Sequence, residues 1–330
     1  MSGVKTSGVQ QVTVTPDEID LRLDRWFKRR FPGVNHIRLE KLLRTGQVRV
    51  DGGRVKANHR LAVGQVIRVP PLEESTEKRP PKRTLVMSDR DVEELQGMVL
   101  YKDDDLIAIN KPSGLAVQGG TKTDRHLDGM LDALQFEADE RPRLVHRLDR
   151  DTSGVMVLAR SARAAAWLGK LFQSREMEKF YWALVVGQPK HPAGTISAAL
   201  AKAGDAGRQK MVWDDEDGKK AVTDYRIVEE AGGKVTWLEL SPQTGRTHQL
   251  RAHCALLNTP ILGDRKYVGH SRTTPDSGLL SEIGDKLCLH ARQLMIPMQG
   301  RKPLVLTAPL SPHMARAFAQ FGFEEREGGE

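Results

Sequence analysis

The sequence predicts an α+β fold with a mixed or antiparallel sheet, preceded by a small basic module. Two observations predict this class. Beyond residue 98 the chain reads as many strands with few helices and no repeated strand–helix–strand rhythm, which favours α+β over a parallel α/β sheet. Before residue 72 it reads as helix, helix and then short strands, a unit too small to contain a deep active site.

The elements of the module follow in chain order. Residues 1–16 are predicted to be a flexible tail, and residues 17–71 form the module. A helix begins near Asp20, and a second runs from Asn35 to Gly46, a glycine placed as a helix end requires. Residues 48–55 predict a hairpin and residues 61–69 a further strand. The charged, proline-rich residues 72–97 predict a linker.

A larger domain is predicted over residues 98–325. Apolar runs predict its strands, and Ser161, a residue type that caps helices, predicts the start of one helix. The predicted strands cover residues 106–109, 155–159, 181–186, 220–228 and 234–240, with a second helix at 247–257. Residues 268–286 are predicted to be a variable loop.

Positive charge is concentrated in the module. Residues 21–68 contain 13 Lys and Arg against three acidic residues, a net charge of +10, whereas the whole chain carries +8. Such a block is the electrostatic footprint of a polyanion-binding module beside a nearly neutral body. A solvated basic face without a partner is the alternative, and it is less favoured because surfaces adapted for solubility mix both signs.

Composition excludes several classes of protein. The 330 residues are 39% hydrophobic, and no stretch approaches the ~18 consecutive apolar residues of a membrane span. The polar residues 1–11 do not resemble a secretory signal. Two cysteines, Cys254 and Cys288, are too few for a disulfide framework or a four-cysteine zinc site. A cytoplasmic protein is therefore expected.

Three candidate motifs are weak. The glycine-rich residues 114–123 lack the lysine that a phosphate-binding loop requires after its last glycine. His248 and His253 would point ~140° apart on a helix, which disfavours a zinc site, and Cys254 falls on an apolar face as a core thiol. The spacing of His146 and Ser153 does not support a Ser-His-Asp triad.

The most informative stretch is residues 143–154, RLVHRLDRDTSG. A histidine and two aspartates lie among arginines, directly before an apolar strand, and an irregular polar loop on a buried strand suits a preorganised site. Neighbouring arginines keep a carboxylate ionised, and an ionised carboxylate can act as a nucleophile. From the residues alone, a catalytic loop and a structural salt-bridge loop are equally supported.

This stretch resembles the H-R-L-D-x-x-[ST]-[ST]-G signature of the RluA family of RNA pseudouridine synthases at every fixed position. Other stretches resemble further family motifs in the family's order, namely NKPSG at 110–114, KFYWALV at 179–185, TGRTHQLRAH at 244–253, GDRKY at 263–267 and LHA at 289–291. The basic module resembles the αL-type RNA-binding module named for a ribosomal protein. That module and the RDTS variant at 150–153 resemble RluC-like members, which act on large-subunit ribosomal RNA.

The resemblance implies a pseudouridine synthase catalytic domain and a role for each matching residue. Asp149 would be the catalytic carboxylate, Tyr181 would stack on the target base, and Leu250 would line the base pocket. Arg246 would pair with Asp149, and Arg147 would enter the RNA stack. The family reaction is an isomerisation, so no cofactor or metal is expected. The predicted RNA-binding residues of the module are Arg22, Arg25, Lys28, Arg29, Arg38, Lys41, Arg44 and Arg49.

The expected function is conversion of specific uridines in large-subunit ribosomal RNA to pseudouridine by a monomer. Two alternatives remain open. A ribosome-assembly factor could keep the fold for RNA binding alone, although the complete set of Asp149, Tyr181 and Arg246 disfavours it. A hydrolase could use His146 and Asp149, although no serine or cysteine lies at a recognisable nucleophile elbow.

Overall fold

The computed structural model describes residues 8–72, 87–119, 125–174, 176–204, 210–267 and 285–325. Contacts divide the chain into an amino-terminal unit, Met1–Thr84, and a carboxy-terminal unit, Leu85–Glu330. Each unit has its own hydrophobic core. The described residues contain no helix that is long and apolar enough to cross a membrane.

The amino-terminal unit packs two helices on a three-stranded antiparallel sheet. Its elements are β1 (Gln10–Thr13), a 3-10 helix (Pro16–Glu18), α1 (Leu23–Arg30), α2 (His36–Arg44), β2 (Arg49–Val50) and β3 (Val66–Val69). The strand order is β1–β3–β2. Trp26 and Phe27 of α1 are completely buried beside Ile67 of β3. The helices therefore bury apolar faces and leave most of their basic residues outside.

The two helices begin and end as the local sequence requires, with one difference. The Asn35 side chain accepts a hydrogen bond from the Arg38 backbone at 2.8 Å, which caps α2 where the sequence predicts the helix to begin. Gly46 has φ +69° just beyond its end. The first helix begins at Leu23 rather than near Asp20, because Asp20 has φ +62° and cannot join the helix.

Other predictions for this unit are wrong. Residues 10–13, predicted to be part of a flexible tail, form β1, because their backbone pairs with β3 and Val12 and Val14 join the core. The predicted hairpin of residues 48–55 reduces to a single bridge between Val50 and Gly53, and β2 pairs with β3 instead. Residues 61–65 form a turn before β3 rather than strand. Residues 1–7 and 73–86 lie outside the described residues.

The carboxy-terminal unit is built on an eleven-stranded sheet. Its strands are β4 (Val99–Lys102), β5 (Leu106–Lys111), β6 (Arg143–Leu144), β7 (Ser153–Ala159), β8 (Glu178–Val186), β9 (Ala193–Ala203), β10 (Lys210–Trp213), β11 (Lys219–Ala231), β12 (Val235–Pro242), β13 (Leu289–Ile296) and β14 (Leu304–Thr307). Its helices are α3 (Asp89–Gln96), α4 (Leu127–Met130), α5 (Ala162–Ser174), α6 (Gln249–Leu256) and α7 (Pro312–Phe321), with a 3-10 helix at Leu131–Leu134.

The main path of the sheet is β10–β9–β11–β12–β8–β13–β7–β5–β4, with β14 beside β13 and β6 beside β7. The β13–β7 pair is parallel and the other pairs are antiparallel, which confirms the predicted α+β class with a mixed sheet. All five predicted strands and both predicted helices are present. The helix α3 lies inside the segment predicted as a linker, where Ser88 caps it. Residues 268–284 lie outside the described residues.

Strand β7 lies inside this sheet and is buried along its whole length. Its apolar run explains that position, because a strand covered on both faces reads as continuously hydrophobic. Gly154, with φ +112°, lies so close to the Ala291 backbone of β13 that any side chain would collide with it. The segment that precedes β7 therefore lies at a fixed position beside β8 and β13.

Candidate active site

The loop between β6 and β7 contains the HRLD stretch, and His146 anchors it. His146 Nε2 accepts a hydrogen bond from the Val157 backbone at 2.9 Å, and its ring stacks on Phe172 with centroids 4.2 Å apart. Burial, aided by the charge of Lys179, lowers the pKa of His146 to about 3. A neutral ring whose acceptor nitrogen is occupied cannot serve as a general base, so the hydrolase alternative loses its base.

The next residues of the loop are held by the buried side chain of Lys111. Its Nζ donates to the carbonyls of Pro112, Leu115 and Arg150 at 2.9–3.0 Å. Burial lowers the pKa of Lys111 to about 8, while the charges of Asp151 and Asp149 oppose that change. Two further bonds, Gly114 N to Arg150 O and Ser113 Oγ to Asp151 O, join the same segments. Asp149 therefore lies on a loop with a fixed backbone.

The end of the loop is fixed by a buried chain of hydroxyl and imidazole groups. Ser153 Oγ lies 2.9 Å from His290 Nδ1 and 3.1 Å from Ser311 Oγ, which in turn lies 3.1 Å from His313 Nδ1. Burial lowers the pKa of His290 to about 4. These contacts join the loop to β13 and to the start of α7, three segments that are distant in sequence.

The first turn of α6 and the loop before it form a second wall of the site. Gln249 holds this loop: its Oε1 accepts from Thr244 Oγ1 at 2.7 Å and from the Arg246 backbone at 3.0 Å. Its Nε2 donates to the Val222 carbonyl and to Thr223 Oγ1, both at 2.9 Å. The backbone of Arg246 is thus tied to strand β11.

A cavity of about 160 Å³ lies between these walls. The five predicted substrate-site residues all line it, although they come from the HRLD loop, β8 and the α6 segment. These residues are Arg147, Asp149, Tyr181, Arg246 and Leu250. Arg147 and Arg246 are exposed, Leu250 is buried, and the side chain of Asp149 is 23% exposed. The cavity therefore presents one accessible acid between an aromatic ring, an aliphatic side chain and two arginines.

Tyr181 provides the aromatic wall from β8. Burial, and the nearby charge of Asp149, raise the pKa of its phenol well above the ordinary value, so the ring stays neutral. A neutral aromatic face beside a carboxylate suits stacking on a nucleobase.

The pair predicted between Arg246 and Asp149 is not formed among the described residues. Arg246 Nε donates to the Lys220 carbonyl at 3.3 Å, and the basic group beside the Asp149 carboxylate is His248, whose Nε2 lies 4.0 Å from Oδ2. The bond to Lys220 turns the Arg246 guanidinium toward β11.

Two buried contacts near the cavity were not predicted from sequence. Arg251 of α6 donates to both carboxylate oxygens of Asp264 at 2.7 Å. His248 Nδ1 lies 3.2 Å from the Tyr267 hydroxyl. In the sequence, Asp264 and Tyr267 were noted only as part of the GDRKY stretch, and neither was given a role. His253 contacts Thr223 instead, so the two histidines of this segment have separate partners.

The predicted RNA-binding residues of the amino-terminal unit are mostly exposed. Six of the eight are exposed, and Arg38 and Arg49 are half-buried. Arg49 donates to the carbonyls of Gly46 and Gly52 and so holds the turns on both sides of β2. Arg22 pairs with Asp24 at 2.6 Å.

A family model described as RNA pseudouridylate synthase matches residues 105–256. The chain is 33% identical to ribosomal large subunit pseudouridine synthase C of Vibrio vulnificus, over 96% of this chain and 97% of that protein. It is 36% identical to RNA pseudouridine synthase 4, mitochondrial, of Arabidopsis thaliana, over 83% of this chain and 70% of that protein.

The fold is similar to that of a solved human protein, RNA Pseudouridylate Synthase Domain Containing 4. The TM-score is 0.61 at 32% identity, covering 71% of this chain and 96% of that one. The shared fold and the sequence similarity together define an RNA-modifying isomerase. The chain belongs to the RNA pseudouridine synthase family, as the sequence resemblance predicts.

Proposed function

We propose that this enzyme converts specific uridines of large-subunit ribosomal RNA to pseudouridine, with Asp149 as its catalytic carboxylate. The observation that supports this most strongly is the cavity itself, in which Asp149 is the accessible acid beside Tyr181 and Leu250. The substrate class rests on the relatives named as large-subunit synthases, one of which aligns along nearly the whole chain.

The reaction moves the target base within the site. The uridine leaves its stack, which costs a few kcal/mol, and enters the cavity against Tyr181. The bond between C1′ and N1 breaks with the participation of Asp149, the base turns, and C5 joins C1′. The hydrogen at C5 leaves as a proton while N1 gains one, so the composition of the RNA is unchanged and no redox step occurs.

The two exposed arginines of the cavity serve the RNA in this proposal. Arg147 enters the stack that the uridine leaves. Arg246 moves from the Lys220 carbonyl to Asp149 when RNA fills the site, because an exposed arginine held by a single 3.3 Å bond can reorient at little cost.

A second cavity supports passage of an RNA strand beside the first. Its volume is about 590 Å³, and it shares Asp149, His248 and Arg251 with the cavity of the target base. Arg150, Arg265, Lys266 and Lys286 also line it, beside Asp151 and Asp285. Lysine and arginine at such a wall suit the phosphates on either side of the flipped nucleotide.

The amino-terminal unit supplies RNA affinity in this proposal. Its exposed basic residues, among them Arg25, Lys28, Lys41 and Arg44, would neutralise phosphates of the ribosomal RNA. We further propose that the enzyme acts as a monomer in the cytoplasm, on free RNA or on an assembly intermediate.

The test is to incubate large-subunit ribosomal RNA with the protein and to map pseudouridine. Asp149→Asn should abolish conversion and leave RNA binding nearly intact, because the amide keeps the shape of the side chain and loses its charge. Asp151→Asn is the matched control, and its loss should be far smaller. An active Asp149→Asn variant would exclude Asp149, and RNA binding without conversion by the wild type would favour the assembly-factor alternative.

A further inference from the structure

His248 lies between the Asp149 carboxylate and a buried tyrosine. Its Nε2 is 4.0 Å from Asp149 Oδ2, and its Nδ1 is 3.2 Å from the hydroxyl of Tyr267. The His248 side chain is 14% exposed. Its two ring nitrogens therefore face two different groups, one of which is the acid of the proposed reaction.

The backbone of His248 adopts a conformation that few side chains favour. It has φ +50° and ψ +23° at the residue that precedes α6, in the left-handed region. Non-glycine residues are uncommon in that region, although histidine is found there more often than most, and they persist where the surrounding contacts hold them. The His248 carbonyl accepts from Ala252 N at 3.0 Å, which ties the residue to the helix. The direction of the ring is thus set by the start of α6.

The hydrogen bonds of Tyr267 favour one neutral tautomer of His248. The Tyr267 hydroxyl oxygen accepts from the Met211 backbone at 2.8 Å. Burial raises the pKa of Tyr267 to about 12, so the phenol keeps its hydrogen at neutral pH and can donate it to Nδ1. Burial also lowers the pKa of His248 and so favours the neutral ring, although the charge of Asp149 opposes this. A neutral ring that accepts at Nδ1 carries its hydrogen on Nε2.

Tyr267 is itself fixed by the buried Arg251–Asp264 pair. Asp264 Oδ1 accepts from the backbone nitrogens of Lys266 and Tyr267 at 2.9 and 3.3 Å. The Arg251 guanidinium lies 5.4 Å from the centre of the Tyr267 ring. The hydroxyl that directs His248 is therefore held in place by a buried ion pair and two backbone bonds.

We propose that His248 is a positioning residue, whose Nε2–H donates a hydrogen bond to Asp149 Oδ2 once a uridine fills the cavity. The 4.0 Å separation is about 1 Å too long for a hydrogen bond, and such contacts commonly shorten in the reacting complex. A bond to Oδ2 from this side fixes the plane of the carboxylate, so that Oδ1 faces the ribose and the base while Arg246 approaches the same group from the cavity. This role rests on the proposed function of Asp149.

The test compares two amides that mimic different nitrogens of the ring. In His248→Gln the amide nitrogen can reach the place of Nε2, whereas in His248→Asn it reaches only that of Nδ1. Asparagine is well tolerated in the left-handed region, so its backbone suits this site. The measurements are single-turnover rate at saturating RNA, RNA affinity, and melting temperature.

His248→Asn should lower the rate by about 10-fold or more, the effect of losing a hydrogen bond to a charged group. RNA affinity and melting temperature should stay at wild-type values, and His248→Gln should recover much of the rate. A wild-type rate in His248→Asn, or equal losses in both folded variants, would overturn the proposal. If Asp149→Asn is itself active, the proposed function has failed; if it is inactive while His248→Asn is normal, only the role of His248 has failed.

If either variant folds poorly, a spectroscopic measurement tests the proposed tautomer of His248 instead. NMR of isotope-labelled histidine nitrogens distinguishes the two neutral tautomers in the wild-type protein. We expect hydrogen on Nε2 of His248 and a shift toward a mixture of tautomers in Tyr267→Phe, which lacks the donor to Nδ1. Hydrogen on Nδ1 in the wild type would contradict the proposal.

Discussion

The basic residues that serve the RNA site and those that face solvent on the helices of the amino-terminal unit lie in different surroundings. In the carboxy-terminal unit, Arg251 is buried and makes a bidentate pair with a fully buried carboxylate. In the amino-terminal unit, Arg25, Lys28 and Lys41 are exposed on helices whose other faces form the core. Buried charge with fixed partners organises a site, while exposed charge acts at a distance and is screened by salt. Different substitutions should therefore disable the two units.

The largest expected effect on stability follows from breaking the buried pair. Arg251→Met would leave Asp264 buried without its partner, which destabilises comparable proteins by about 3–5 kcal/mol. Thermal unfolding should show the melting temperature of the carboxy-terminal unit lowered by roughly 10 °C. Arg246→Ala is the matched control: that arginine is exposed, so its loss should impair activity and change stability by no more than about 0.5 kcal/mol. Equal destabilisation by both changes would show that the buried pair contributes no more to stability than the exposed arginine.

A smaller effect is expected from Glu18, a buried acid of the amino-terminal unit. Glu18 is 2% exposed and accepts from Arg30 Nε at 2.7 Å. Burial raises its pKa, but the hydrogen bonds from Arg30 and from the Thr15 backbone outweigh burial and lower the pKa from 4.5 to about 2. Glu18→Gln should therefore cost roughly 1.5–3 kcal/mol of unfolding free energy at pH 7.

The contribution of Glu18 to stability depends on pH. A carboxyl group with a lowered folded pKa stabilises the fold fully above its unfolded value, here near 4.5, and the contribution disappears as pH falls toward 2. The difference between wild type and Glu18→Gln should therefore shrink across that window in denaturant titrations. Arg22→Gln, which removes only an exposed pair with Asp24, should show almost no difference at any pH.

The smallest effect on stability is expected from exposed charges, whose contribution is seen instead in the salt dependence of RNA binding. Each cation that neutralises a phosphate contributes about 0.7–0.9 to the slope of log affinity against log salt concentration. Replacing Arg25, Lys28 and Lys41 by Gln should therefore lower that slope by about 2–3 for a ribosomal RNA fragment. Replacing Lys170, Lys190 and Lys234, exposed lysines of the other unit, removes the same charge and should leave the slope nearly unchanged. If the second set of replacements lowers the slope and the first does not, the main RNA-binding surface lies in the carboxy-terminal unit.

Local sequence predicted the elements that depend on local physics. The buried runs that became β5 and β7, and the helices capped by Asn35 and Ser161, are confirmed. Strand β1 was not predicted, because its polar residues become a strand only by pairing with β3, which lies more than 50 residues away. Strand β9 was also not predicted, because its alanine-rich sequence has little apolar alternation of its own.

The site likewise contains residues that the sequence predicted and contacts that only the folded chain creates. The family resemblance predicted that Asp149, Tyr181, Arg246 and Leu250 belong together, and the structure brings them to one cavity. It did not predict that His248, rather than Arg246, lies beside the carboxylate, because that depends on a left-handed backbone residue at the start of α6. Nor does any sequence spacing reveal that the Tyr267 hydroxyl faces Nδ1 of His248.

The division of labour between the units is tested most directly by the carboxy-terminal unit alone. Residues 85–330 should fold, because their two main cores lie entirely within that range. At low salt and saturating RNA this chain should still form pseudouridine, and the same chain with Asp149→Asn should form none. Its RNA affinity should be weaker than that of the full chain, with a flatter dependence on salt. A folded truncated chain that forms no pseudouridine, or that binds RNA with unchanged affinity and slope, would contradict the account.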